Sequence, residues 1–451
     1  MKPLRFHLFA LCAAALVGSA FAAESRQWSL KQCIDYALEQ NIRIKGQHLE
    51  TTYYQNRYRQ SKADLLPEIY GYASQDFLSG RSVDLYTNEY QDQNVKSNQF
   101  FLNGRVTLFD GMQSVHTIRR DEIDLLSSAK DVEHLKNEVT MEVVEAYLMS
   151  IYNQEMIEVT GRQLEVTRLQ IGRTKVLLDA GSVSKGSLYE LSALLAQEEV
   201  DLLKARNQKS ISVLTLQQLL ELDTLADFAL LPPLLPEIDD TDVQAAMPDL
   251  YRSALSLPEV ERGELGIQSA SLDLKIQKEK RFPTLTFDAT LGTGYSDAYK
   301  KYQLAQEVDY PFSDQIRDNA NTRLSLQLNV PLFSRLQTTS AINNAKINVE
   351  KKKLELETVK KQVLRSVQVA YNDARAALHE YHGNIRAREA TRESFRYTEE
   401  KFNVGMVSSV DYHNGKNLLS KAESDLLQSK YNYFLKKSIL EILCGKPVSI
   451  H

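Results

Sequence analysis

Apolar and polar side chains alternate with a period of two at several places in the chain. Leu285, Phe287, Ala289 and Leu291 fall on one face, with Thr284, Thr286, Asp288 and Thr290 on the other. A second run sets Leu324, Leu326, Leu328 and Val330 against Arg323, Ser325, Gln327 and Asn329. Earlier, Phe100, Leu102, Val106 and Leu108 oppose Asn103, Arg105 and Thr107. This alternation predicts pairs of half-buried strands, each close to the ~9–11 residues with which a tilted β-strand crosses a bilayer. A soluble sandwich with one wet face gives the same pattern. After each pair the period becomes seven: Ile342, Val349, Leu356, Val363, Ala370 and Ala377 in one stretch, Ile118, Leu125, Val132, Val139 and Ala146 in the other. A sustained heptad predicts a left-handed coiled-coil seam. The two stretches, roughly 112–178 and 336–402, lack proline, and a helix of that length reaches ~100 Å.

These elements form two copies of one unit. Val106-Thr107-Leu108-Phe109 returns 224 positions later as Val330-Pro331-Leu332-Phe333, and Ala146-Tyr147 returns as Ala370-Tyr371. Upstream the offset is 216, from Leu66-Pro67 to Phe282-Pro283, so the second copy carries an insertion between Pro283 and Val330 that reads as a loop. In each copy an amphipathic helix (roughly 30–62 and 246–279) precedes the strand pair. Beyond each long helix a glycine turn, 180–184 or 404–408, sends the chain back in a second helix, 185–220 or 409–444. The predicted division is 23–230 for the first repeat, 231–245 for a stiff linker containing Leu231-Pro232-Pro233-Leu234-Leu235-Pro236, 246–444 for the second repeat and 445–451 for a tail.

Residues 1–22 read as a cleaved signal peptide: Lys2 and Arg5 are followed by an apolar run from Leu8 to Val17 and by Ala20-Phe21-Ala22. The chain is therefore expected to be exported. With 451 residues, 25% of them charged, and only 18 Gly and 11 Pro, the composition excludes disorder and low-complexity material. A net charge of −5 argues against nucleic acid as a partner. Mean hydropathy of −0.36 excludes a polytopic helical membrane protein, but not a β-barrel, whose strands need one apolar face only. Four spanning strands cannot close a barrel, and open edges in lipid leave backbone groups unpaired at several kcal/mol each. Three copies would supply twelve strands, above the roughly eight at which known barrels begin. They would also gather the coiled coils into one tube.

In this order of elements, and in Phe402-Asn403-Val404-Gly405-Met406 followed by Asp411, with Leu178-Asp179-Ala180-Gly181-Ser182 as its first-copy equivalent, the sequence resembles the TolC family of outer-membrane efflux ducts. The resemblance covers essentially the whole exported chain. It implies a mixed α and β membrane protein: a homotrimer with a twelve-stranded barrel in the outer membrane of a two-membrane bacterium, joined to a helical barrel in the periplasm. It further implies a periplasmic adaptor and an inner-membrane transporter, of RND or ABC type, as partners besides outer-membrane lipid. Asp411 then occupies the family's aspartate constriction, where three copies crowd like charges and favour cations. Asn414 stands where a second aspartate is common. At two latch positions this chain has Phe402 and Val407, and Ser187 replaces an acidic partner, so closure by apolar packing is expected. Ala180, Gly181, Ser182, Val404, Gly405 and Met406 are the expected adaptor contacts, and both glycines suit a turn that needs positive φ.

No catalytic set and no cofactor motif is visible. His379 and His382 flank Glu380 on one helix, but two histidines without a fixed third ligand make a poor metal site, and Gly292-Thr293-Gly294 reads as a strand bend or turn because no helix follows it. Tyr70, Tyr72, Tyr86, Tyr90, Tyr295 and Tyr299 suit an interfacial girdle. Cys33 and Cys444 lie near the two chain ends, which the resemblance brings together; a disulfide and a pair of buried thiols both remain open. Small-molecule efflux is the expected role. Type I protein secretion through the same duct and a non-conducting structural coiled coil are the alternatives.

Overall fold

The computed structural model describes residues 27–83, 90–223, 228–238, 247–303 and 306–450. The expected signal peptide and Tyr86 lie outside them. The stretch predicted as one helix over 30–62 is two: α1 (Leu30–Gln40), opened by a Ser29–Gln32 capping box, and α2 (Ile42–Ala63). Asn41 breaks them with φ −56 and ψ 126. Its side-chain oxygen accepts from the Arg43 N–H at 2.9 Å, while its amide donates to the Leu219 carbonyl at 3.2 Å. An asparagine gains more as an N-cap than inside a helix. The second copy divides at the equivalent place into α5 (Met247–Ala254) and α6 (Pro258–Glu279), where Pro258 starts a helix that it could not have continued.

Four antiparallel strands form one sheet in the order β2 (Glu68–Val83), β3 (Tyr90–Phe109), β5 (Thr284–Ser296) and β8 (Asn321–Asn329). Leu102 pairs with Leu291 and Phe287 with Leu326, so the apolar positions share one face; Asn103–Thr290 and Arg105–Asp288 lie on the other. The first two strands have 16 and 20 residues, longer than predicted. Among the described residues the outer edges of β2 and β8 have no strand partner. The insertion predicted as a loop carries a hairpin, β6 (Lys300–Gln303) with β7 (Gln306–Asp309), and a short helix, α7 (Phe312–Asp318). The helix continues the sheet edge where β8 has not yet begun. Buried Gln315 accepts from the Ser296 N–H at 3.0 Å and donates to its carbonyl at 2.9 Å, and Asn319 donates to the Gly294 carbonyl at 2.8 Å. Side-chain amides thus replace a missing strand. Gly292 lies inside β5, not at a bend. A Cβ there would come within 2.8 Å of the Phe101 ring, which covers it from the neighbouring strand.

Each strand pair leads into a helix of 67 residues, α3 (Gln113–Asp179) or α8 (Gln337–Asn403), and each of these returns through one of 35, α4 (Lys185–Leu219) or α9 (Ser409–Leu443). The long helices begin 224 positions apart, as do the return helices. The heptad positions Val132, Val139, Ala146, Ile342, Val349, Val363, Ala370 and Ala377 are buried. At both strand-to-helix junctions two successive residues adopt positive φ: Gly111 and Met112 in the first copy, Arg335 and Leu336 in the second. The main core gathers residues of α1 to α6, α8 and α9. Beside it β1 (Gln27–Trp28) pairs in parallel with β4 (Ala229–Leu230), and the buried Tyr147 donates to the Trp28 carbonyl at 3.3 Å and to the Leu231 carbonyl, tying the linker down. Cys33 and Cys444 are both free thiols buried in this core. Burial pushes Cys33 up to about 12 and raises Cys444 as well.

Candidate functional site

The two helical hairpins, α3/α4 and α8/α9, meet at the end remote from the sheet. Each turns through a glycine with positive φ, Gly181 at 72° and Gly405 at 75°. Ala180, Gly181, Ser182, Val404, Gly405 and Met406 are all exposed there. Ser408 begins α9 with a capping box: its N–H and hydroxyl donate to Asp411 Oδ2 at 3.2 and 2.7 Å, and its Oγ accepts from the Asp411 N–H. One oxygen of Asp411 is thus committed to the cap, while the residue stays exposed, as does Asn414 one turn on. Ser187 sits at the equivalent position of the first copy, its N–H donating to the Ser184 Oγ at 3.3 Å. A neutral hydroxyl thus stands in the first copy where the second has the Asp411 carboxylate.

Behind the turn the hairpins are held together by two kinds of contact. Phe402 stacks on Tyr412 with centroids 4.7 Å apart, and Phe395 packs on the same ring at 5.3 Å, over buried Leu191 from the first hairpin. Burial pushes the Tyr412 hydroxyl up to about 12. Val407 is half-buried beside this cluster in sequence but is not part of it. The second kind is polar, which an expectation of purely apolar packing misses. Lys416 of α9 is buried and reaches the first hairpin, donating to Glu198 Oε1 at 2.8 Å, to the Gln163 carbonyl at 2.9 Å and to Thr167 Oγ1. Ser409 donates to Glu190 at 2.5 Å, and Arg173 of α3 donates to Asn403 at 2.9 Å. His413 lies among these groups. Burial, chiefly, lowers its pKa, with Lys416 acting in the same direction and Glu190 and Glu198 against it.

A buried ammonium is stable only when its donors are satisfied and a counter-charge is close, and Lys416 meets both conditions with atoms of the opposite hairpin. Moving one hairpin from the other would therefore cost its three bonds together. The sequence does carry a trace of this arrangement: Ser409, Tyr412 and Lys416 are spaced by three and four on one face of α9, and all three are buried. Of the other candidates, His379, Glu380 and His382 do not assemble a site; among the described residues no group of three or more His, Cys, Asp or Glu is placed to hold a metal ion.

At the opposite end, the polar face of the sheet carries Arg105 and Asp288 paired at 2.5 Å, with Asn103 accepting from Thr290 at 2.9 Å. Tyr72 and Phe101 stack on that same face at 6.3 Å. Among the described residues no helix is long and apolar enough to cross a membrane.

Comparison with known proteins agrees with this architecture. Alkaline protease secretion protein AprF of Pseudomonas aeruginosa is 23% identical over 82% of this chain and 72% of its own. Outer membrane protein TolC of Escherichia coli is 21% identical over 95% and 84%. The Campylobacter jejuni CmeC outer membrane channel superposes with a TM-score of 0.77 at 15% identity, over 92% of this chain and 85% of that one. The family model for outer membrane efflux proteins matches twice, over residues 33–221 and 250–444, once on each set of strands and hairpin helices. The chain belongs to the outer membrane efflux protein family.

Proposed function

We propose that three copies of the chain form an exit duct through the outer membrane and periplasm. It passes small molecules delivered by a periplasmic adaptor and an inner-membrane transporter of the RND or ABC type. The observation that carries this reading is the four-stranded sheet with one apolar face, one polar face and, among the described residues, two edges without a strand partner. In lipid those edges must be paired, and joining β8 of one copy to β2 of the next closes a twelve-stranded barrel whose polar face lines a lumen. Residues 23–230 and 246–444 are the repeats that supply the strands. Asp411 rings the periplasmic mouth, with Asn414 beside it, and the exposed turns around Gly181 and Gly405 meet the adaptor. The aromatic cluster of Phe395, Phe402 and Tyr412 and the Lys416–Glu198 pair hold the two hairpins of each copy together when the mouth is narrow.

A second reading, protein secretion through the same duct, is favoured by the similarity to AprF, which is a protease secretion protein by name. The duct itself is tested by the mass of the purified protein in detergent and by its conductance in a planar bilayer. A trimer giving discrete cation-selective steps is expected; a monomer, or a folded trimer without conductance, would refute the proposal. Export of a dye in cells lacking the protein's gene, compared with secretion of a reporter protease, separates the two cargo classes.

A further inference from the structure

The apolar face of the sheet does not stop where the strands end. Val330 and Leu332 continue its alternation below β8, and Phe282 lies below β5. Leu332 is 92% exposed and Phe333 79%, and Phe282 and Leu336 also project into solvent. Directly next to this shelf are four exposed cations: Lys278 and Lys280 at the end of α6, Arg281 in the following turn and Arg335 at the start of α8. The segments are adjacent in space, since Arg281 donates to Thr339 Oγ1, in the first turn of α8, at 3.5 Å. Among the described residues none of the four is in an ion pair. The one acid among them, Glu279, turns inward to His116 at 2.7 Å, with both groups largely buried.

Lys278, in the last turn of α6, and Lys280, its C-cap, are accounted for by the C-terminal end of that helix, where a cation is favoured. That account does not reach Arg335, whose backbone is held at φ 50. A side chain in that region carries a steric cost that glycine avoids, and the first copy places Gly111 at the equivalent position. The first copy keeps the apolar shelf, through Leu66, Leu108, Phe109 and Met112, but only one of the four cations, Lys62 in the place of Lys278. Its counterparts of Lys280 and Arg281 are Asp64 and Leu65, and its one lysine, Lys62, lies over the Tyr58 ring at 3.9 Å. The second copy therefore places at the margin of an apolar band four positive charges, none of them in an ion pair among the described residues and one, Arg335, held at a conformational cost.

We infer that this junction binds the phosphate headgroup of an anionic phospholipid in the membrane leaflet nearest the long helices. The acyl chains lie along Phe282, Leu332, Phe333 and Leu336, and Lys278, Lys280, Arg281 and Arg335 surround the phosphate. The inference rests on the outer-membrane reading above. Cations beside an apolar surface at a bilayer margin are the usual recognition chemistry for such lipids. Continuity with the apolar face of the sheet selects a lipid over a soluble phosphate.

The test uses the purified full-length protein in non-ionic detergent. It is offered an equimolar mixture of phosphatidylglycerol and phosphatidylcholine, and retained lipid is counted by native mass spectrometry. The expected result is a preference for phosphatidylglycerol of about tenfold, falling to near parity in Lys278→Gln/Lys280→Gln/Arg335→Gln. It should be unchanged in Lys361→Gln, a lysine farther along α8, and undiminished by inorganic phosphate. No preference in the unaltered protein, or a preference that survives the triple substitution, would overturn the inference. Displacement by inorganic phosphate would overturn it in favour of a soluble anion. Loss of the trimer in the triple variant with the lipid preference intact would assign the cations to the neighbouring copy. Failure of the unaltered protein to insert into vesicles of any composition would refute the membrane reading itself, a separate outcome.

Discussion

Lys416 and Glu198 come from opposite hairpins, 218 positions apart, and their charged atoms stand 2.8 Å apart with 5% and 13% of the side chains exposed. Removing one partner of such a pair leaves a buried charge without compensation, at a cost of ~3–5 kcal/mol. Lys416→Ala should therefore lower the stability of the docked hairpins by that order and increase the fraction of time that they are apart. Single-channel recording should register longer or larger openings than in the unaltered protein. The double variant Lys416→Met/Glu198→Leu, which removes both charges and keeps apolar volume, should restore much of the unaltered behaviour. Because the pair is buried, openings should respond little to ionic strength. If Lys416→Ala conducts like the unaltered protein, the pair does not hold the hairpins.

Asp411 combines a charge at the proposed mouth with the cap of α9, and two substitutions separate these roles. Asp411→Asn keeps a side-chain oxygen for the Ser408 donors and removes the charge. It should weaken cation selectivity with little change in thermal stability. Asp411→Ala should lose both, the cap contributing about 1 kcal/mol. Reversal potentials measured across a salt gradient, beside melting curves, distinguish the variants. Equal selectivity in all three proteins would place the constriction elsewhere.

The long-range plan of the molecule was legible because its signals repeat. Seven-residue spacing over Ile342 to Ala377 marks a buried seam however the helices are arranged, and alternation in two copies assigns the strands to one face. The breaks at Asn41 and Pro258 interrupt amphipathic stretches without disturbing their periodicity, although Asn before Ile42 and Pro at a first-turn position are themselves start signals. Lys416 was hidden for a different reason. A lone lysine on a helix reads as solvated, and its burial is decided by Thr167, Gln163 and Glu198, none of them near it in sequence. The same is true of Gln315, whose amide stands in for a strand only because α7 folds onto the edge of β5.

The strand-to-helix junctions allow a direct test of backbone strain. Arg335 occupies at φ 50 a position that Gly111 fills in the first copy at φ 71. Arg335→Gly should stabilise the protein by ~1 kcal/mol, because the new residue relieves a left-handed conformation that costs an L side chain about that much. The converse, Gly111→Ala, should be clearly destabilising. It adds the same penalty, and its Cβ would lie 2.6 Å from the Phe282 Cβ and 3.1 Å from the Glu279 carbonyl oxygen. Thermal unfolding in a non-ionic detergent without anionic lipid reads the backbone effect alone. A melting temperature lowered by Arg335→Gly would mean that the arginine makes a contact worth more than the strain.

His134 on α3 and Glu259 at the start of α6 stand 3.1 Å apart, with Glu138 3.4 Å from the other ring nitrogen and Arg262 close by. The hydrogen bond to Glu259 raises the His134 pKa, against the effect of burial and of Arg262. For Glu259 burial alone would raise the carboxyl, but the bond from His134 and the backbone outweighs it and the net direction is down. A histidine with a raised folded-state pKa contributes stability that is complete below its ordinary value of about 6.5 and is lost as pH rises through the folded value. The depressed carboxylate contributes stability above its own ordinary range and loses it as pH falls through the folded value. The contact between α3 and α6 should therefore be strongest from about pH 5 to 6.5 and weaken on either side. His134→Gln should flatten the alkaline arm of the melting temperature against pH, while Glu259→Gln should flatten both. The histidine is more than a third exposed, so the change expected is a few degrees at most, with the slope across pH as the diagnostic. An alkaline arm as steep in His134→Gln as in the unaltered protein would transfer the titration to another group.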